Sequence, residues 1–280
     1  PTIPETAMKT VSLLLCLFGS FWLITAGEPV PGPESTNRVE GVESAQPRLP
    51  EPGEGRKWRL VWSDEFDGAH LDETKWEAMG DWKRRDGFWT KADAYLDGGG
   101  NLLLRTRKDG DRYCSGAVRT LDRFEHAFGY WEVRCRLPKQ PGHWPAFWLM
   151  CKGVHRVGED GRDGTEIDIV EVPWRTGRIT MNLHWDGYGD AHQSIGANHE
   201  DPGLMSGFHT FGLLWNPDGY VFYTDGLETW RTDAGGVSRV PEYIKLTEEI
   251  GAWGGDIGKA VLPDYFTVDY VRVYAVSGGN

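Results

Sequence analysis

The chain has 280 residues, of which 39% are hydrophobic and 14 are tryptophan, and 42 acidic against 30 basic side chains leave a formal net charge of -12. That length holds one sizeable domain with additional segments. The acidic balance excludes nucleic acid and anionic membrane surfaces as partners, because both are bound through a basic footprint, whereas a neutral polymer stays open.

Residues 1–27 read as an N-terminal extension and secretory signal peptide. Met8-Lys9 supplies the charged start, Val11 to Ile24 the apolar core, and Thr25-Ala26-Gly27 the small residues for cleavage. The apolar run is too short to span a bilayer, so the expectation is export to a periplasm, a cell surface or the medium, with no membrane span. Residues 28–55 hold six of the sixteen prolines and no aromatic residue. Such a segment buries too little apolar area to offset ordering and is expected to be a disordered tether.

From residue 56 to residue 280 the pattern is one of short β-rich runs between turn residues. Leu102–Thr106, Arg178–Trp185 and Phe208–Trp215 are predicted strands. Asn216-Pro-Asp-Gly219 and Asp225-Gly226 carry hairpin chemistry on either side of Tyr220–Tyr223. No window sustains the spacing of a long amphipathic helix, and many short strands imply a two-sheet sandwich. No heptad or apolar stripe points to an oligomer, so a monomer is expected. Cys114, Cys135 and Cys151 remain after signal removal, an odd number. Three buried thiols are the preferred reading and a Cys114–Cys135 disulfide the alternative; no pair has zinc-ligand spacing.

The most informative stretch is Glu166-Ile-Asp-Ile-Val-Glu171. In an extended run Glu166 and Asp168 share one face while Ile167 and Ile169 share the other. Glu171 is an odd number of residues from Glu166, so it joins the acidic face only if a β-bulge at Val170 adds one residue. Its backbone then lies roughly 13 Å from that of Glu166, and two long side chains leaning inward over Asp168 bring their carboxyl groups to the roughly 5 Å of a double-displacement glycosidase. Nothing about fold stability calls for three mutually repelling carboxylates on one short strand. An acidic solvent-facing rim and a metal site are the alternative readings.

This stretch resembles the glutamate-x-aspartate-x-x-glutamate signature of glycoside hydrolase family 16, in the bulged form of laminarinases, agarases and carrageenases. Trp62-Ser-Asp-Glu-Phe66 with Trp76, Gly129–Arg134, Gly142–Trp148 and Val268–Tyr274 resemble its first strand, the two strands before the catalytic one and its closing strand. The resemblance implies an all-β, concanavalin A-like jelly roll with a concave substrate cleft. It also implies Glu166 as nucleophile, Glu171 as acid and then base, and Asp168 as the residue that orients Glu166. Spacing alone leaves the order of the two glutamates open. Trp131, Trp144, Trp148 and Trp253 resemble positions on or beside the concave face; Trp174 lies three residues beyond Glu171, and His184 ends the following strand.

The basic cluster Lys83-Arg-Arg85 should sit near the cleft in this family, with Arg84 as a contact to sulfate or carboxylate groups; a solvated loop balancing Asp81 and Asp86 is the alternative, and the preferred one. Many members hold one structural calcium, for which Asp269 matches the last-strand ligand and Glu65 and the carbonyl of Gly98 are further candidates. An arginine partner would serve Asp269 equally well. The resemblance implies an exported endo-hydrolase cutting a β-linked polysaccharide with retention, a β-1,3-glucan first and a β-galactan (agar, porphyran or carrageenan) second. A transglycosylase, a non-catalytic carbohydrate-binding protein and a metal-dependent surface module are the other readings.

Overall fold

The computed structural model describes residues 49–278, and the signal peptide with most of the tether lies outside them. In chain order the strands are β1 (Lys57–Asp64), β2 (Glu77–Ala78), β3 (Trp82–Arg84), β4 (Gly87–Trp89), β5 (Ala94–Leu96), β6 (Leu102–Asp109), β7 (Arg112–Ser115), β8 (Ala117–Arg119), β9 (Gly129–Arg136), β10 (His143–Met150), β11 (Glu166–Glu171), β12 (Arg178–Trp185), β13 (Gln193–Glu200), β14 (His209–Asn216), β15 (Gly219–Thr224), β16 (Leu227–Thr232), β17 (Tyr243–Ile250) and β18 (Asp264–Ser277). They form a β-jelly-roll sandwich. One sheet has seven strands in the order β13-β12-β11-β10-β17-β8-β2; the other has eleven and centres on β14-β9-β18-β6. Among the described residues no helix is long and apolar enough to cross a membrane.

Period-2 alternation places the two faces of the seven-stranded sheet. In β10, Phe147 and Leu149 point into the core between the sheets, while Trp144, Ala146, Trp148 and Met150 line a cleft on the outer face. β17 repeats this, with Ile244 and Leu246 in the core and Lys245, Thr247 and Glu249 in the cleft. The chain entering the sandwich is pinned by Asp64, which accepts a 2.8 Å bond from the Trp76 indole N–H and a 3.1 Å bond from the Phe66 backbone N–H. The acidic Trp62–Phe66 segment is therefore a folding clasp.

Several expectations are corrected at this level. Trp131 is not on the concave face: it lies in β9 of the eleven-stranded sheet, fully buried, with its indole N–H on the Phe128 carbonyl. Trp131→Ala is accordingly expected to cost about 3–5 kcal/mol of stability, read as a lowered midpoint in denaturant melts of the whole chain; a near-neutral change would return it to the list of sugar contacts. Asp269 and Glu65 are not available for calcium. Arg134 Nη1 lies 2.5 Å from Asp269, and Arg272 grips Glu65 through two bonds of 2.9 and 2.8 Å. Guanidinium charge therefore already answers both carboxylates, and Gly98 sits in a turn whose Asp97 side chain accepts from the backbone of Gly99 and Asn101. The two carboxylates, so paired, do not fit a cation.

Cys114, Cys135 and Cys151 are free and buried, so the disulfide alternative falls away. Between the predicted strands Arg178–Trp185 and Phe208–Trp215 lies a further one, β13, paired along its whole length with β12. Lys83 and Arg85 are solvated, as expected, but Lys83 and Arg84 belong to the β3–β4 hairpin, whose turn starts at Arg85, and Arg84 and Arg85 pair with Glu249 in place of Asp81 and Asp86.

Candidate active site

β11 lies between β10 and β12 near the middle of the seven-stranded sheet. Its register is regular from Ile167 to Asp168, slips by one residue, and resumes at Val170 opposite Phe147 and at Glu171 opposite Ala146 and Thr180. The extra residue against β10 is Ile169, one position before the expected Val170. Ile167, Ile169 and Val170 are all in the core. Two consecutive apolar side chains thus point inward, and the acidic face resumes at Glu171. Glu166, Asp168 and Glu171 line one cleft of about 400 Å3, a volume within the range of small-ligand sites.

Each carboxylate has different company. Glu166 accepts a hydrogen bond at Oε2 from the Tyr188 hydroxyl, which comes from the β12–β13 connection. Asp168 is 4% exposed and lies 3.3 Å from His184 Nε2. The other nitrogen of His184 is 3.0 Å from Nε2 of His192, whose ring stacks on it. Glu171 accepts from the Trp144 indole N–H at 3.3 Å and from Asn182 Nδ2 at 2.9 Å. Burial, then the charges of Asp168 and Glu166, push the Glu171 carboxyl well above the usual range, against the pull of its two donors. Burial and the Glu166 charge likewise raise Asp168, with Lys245 and Arg85 opposing. Burial of Lys245 brings its ammonium down to about 7 even though Glu166 favours the charged form. This crowding favours the protonated form of Glu171, as a general acid requires.

Trp144 and Trp148 are where the sequence puts them, on the cleft side of β10, with the Trp148 indole N–H on Thr247 Oγ1. Trp253 stands edge-on to Trp144 at 5.3 Å and to Trp174 at 5.8 Å, extending an indole row from the cleft. His184, at the end of β12, turns its Nε2 to Asp168. Arg84 lines the cleft, bound to Glu249 at 2.8 Å. Arg85, of the same basic cluster, lines the cleft beside it; the reading of the residues missed Asn182, Tyr188, His192, Lys245 and Glu249. Alternation in Lys245-Leu-Thr-Glu-Glu249 carried the same polar-out signal as β11; nothing local marks Tyr188 or His192.

Glu166, Asp168 and His184 each offer an atom within 4.8 Å of the others, close enough for an ion. Tyr188 and His192 are already on two of the three, and His184 is on the third. Clustering therefore has an account without a metal, in mutual hydrogen bonding among the acids and their neighbours.

Residues 81–272 match the family model described as Glycosyl hydrolases family 16. Among curated relatives, a keratan-sulfate endo-1,4-beta-galactosidase of Sphingobacterium multivorum is 29% identical over 78% of this chain and 55% of its own. A beta-glucanase of Rhodothermus marinus is also 29% identical, over 78% of this chain and 85% of its own. The solved endo-beta-1,3-glucanase of Pyrococcus furiosus superposes with a TM-score of 0.67 at 29% identity, over 81% of this chain and 97% of that one. The chain spans about half the length of the first relative and most of the other two.

Proposed function

We propose a substrate range and a mechanism for a chain that belongs to glycosyl hydrolases family 16 and is an endo-β-glycanase acting on O-glycosyl bonds. The reading is of an exported enzyme that cuts a β-linked polysaccharide with retention of anomeric configuration. One observation carries the mechanism: Glu171, whose carboxyl is pushed upward by burial and like charge, shares a cleft with Glu166, one of whose oxygens is held by Tyr188.

Glu171 gives its proton to the glycosidic oxygen as that oxygen leaves C1, while the free Glu166 oxygen attacks C1 from the other side and forms a glycosyl ester. Water then enters where the leaving sugar was. Glu171, now a carboxylate, takes a proton from it, the new oxygen bonds to C1, and Glu166 departs as a carboxylate. Asp168 and the Tyr188 hydroxyl orient Glu166 through both steps. Trp253, which is exposed, and the half-buried Trp174 offer apolar faces and edges to sugar C–H groups.

A β-1,3-glucan backbone is the first reading of the substrate. A β-galactan is the second, favoured by the cationic wall of Arg84, Arg85 and Lys245 in the cleft and by the relative that acts on keratan sulfate. The test is reducing-end release by the whole chain on laminarin, mixed-linkage glucan, agarose, porphyran and keratan sulfate, with proton NMR of the first anomer formed. The β-anomer is expected. First appearance of the α-anomer would overturn the double displacement, and no release from any β-glycan would overturn the reading as a whole.

A further inference from the structure

The wall facing the catalytic acids is built of cations. Arg84 turns Nε and Nη2 onto Glu249 at 2.8–3.1 Å, and Arg85 places Nε 3.2 Å from the same carboxylate. Glu249 is itself nearly buried, its side chain 4% exposed. One negative charge thus holds two positive ones and leaves an excess of one. The guanidinium of Arg84 lies 4.7 Å over Trp89 and that of Arg85 5.3 Å over Trp144, the indole that donates to Glu171.

Lys245 adds a third basic group. Its residue is 6% exposed, and Nζ sits 3.6 Å from the centre of the Trp148 ring. Among the described residues no hydrogen bond engages Lys245 Nζ, Arg84 Nη1 or either Nη of Arg85. All three side chains line the cleft that holds Glu166, Asp168 and Glu171. Lys245 Nζ rests on the Trp148 ring and is answered by the Glu166 charge, which leaves its donor hydrogens free for an oxygen of the substrate.

We propose that Arg85 and Lys245, backed by Arg84, form a specificity site for an anionic substituent, a sulfate ester or a carboxylate, on a sugar bound in the cleft beside Glu166 and Glu171. The inference rests on the endo-β-glycanase reading and narrows its substrate to acidic β-glycans. Arginine's fork suits two oxygens of such a group, and a lysine point charge suits a third. The Glu249 clasp holds both guanidiniums in place before substrate arrives, which lowers the ordering cost of binding.

The experiment pairs polymers that differ only in charge: keratan sulfate with its solvolytically desulfated form, and laminarin oxidised to carboxylate at its primary hydroxyls with untreated laminarin. The full chain is expected to cleave one charged member with kcat/KM about tenfold or more above its neutral partner, and the pair in which this appears says whether sulfate or carboxylate is read. The ratio should shrink as salt is raised. Arg85→Gln should bring the ratio near one, with Arg85→Lys keeping part of it; Lys245→Met serves if Arg85→Gln fails to fold. Charged and neutral members cleaved equally by the native chain would overturn the inference and leave the glycanase reading intact. An Arg85→Gln loss equal on both members would also overturn it, by making Arg85 a counterion of the catalytic acids. Failure to cleave any polymer would instead overturn the glycanase reading.

Discussion

Glu166→Gly and Glu171→Gly are each expected to lower kcat on polysaccharide by about 10³-fold or more, the scale of losing the nucleophile or the acid and base, yet to fail in different ways. The two residues are related almost symmetrically by β11, so rate loss alone cannot assign them. Their surroundings break the symmetry. Burial and the charges of Asp168 and Glu166 push the Glu171 carboxyl toward its protonated form, whereas Glu166 takes a hydrogen bond from a phenol. With an aryl glycoside, whose leaving group needs no proton, Glu171→Gly should still form the glycosyl-enzyme, and azide should trap it as a product of retained configuration. Glu166→Gly should form no ester, and azide should displace the leaving group directly to give the inverted azide. The reverse pairing of variant and stereochemistry would exchange the two roles.

How far the site was legible in the sequence follows the range of the forces that build it. Alternation over six residues is local, so the acidic face of β11 and the cleft-facing tryptophans of β10 were readable. The bulge was required by parity alone, but its position was set by pairing with β10, and it fell at Ile169. Trp131 misled because β9 is buried on both faces, which erases the inside-outside contrast. Arg84 and Arg85 misled for another reason. Their carboxylate is Glu249, 165 and 164 residues along the chain, while Asp81 and Asp86 were adjacent in sequence and turned instead to backbone N–H groups of Lys91 and Ala252. Asp269 found Arg134 in the same way, across the paired strands β18 and β9. A charge shows its sign in a sequence, and its partner only in the fold.

Asp168→Asn separates what this arrangement does for the reaction from what it does for the fold. The rate is expected to fall on the order of 10²-fold, as for loss of one preorganised polar group at a reacting centre, because an amide can neither carry charge beside Glu166 nor exchange a proton with His184. The alkaline limb of kcat/KM should move with it. In the native chain the Asp168 charge raises Glu171; without that charge Glu171 gives up its proton at lower pH, so the limb shifts downward, by about one unit for the loss of one close like charge. A limb that stays in place while the rate falls would mean that Asp168 is uncharged when Glu171 titrates. Thermal stability should not follow activity. Asp168 is buried and pressed by the charge of Glu166, and an isosteric neutral side chain removes that repulsion, so the midpoint should hold or rise. A variant that is slower but no less stable would show that the repelling carboxylates of β11 are kept for the chemistry, against the preference of the fold.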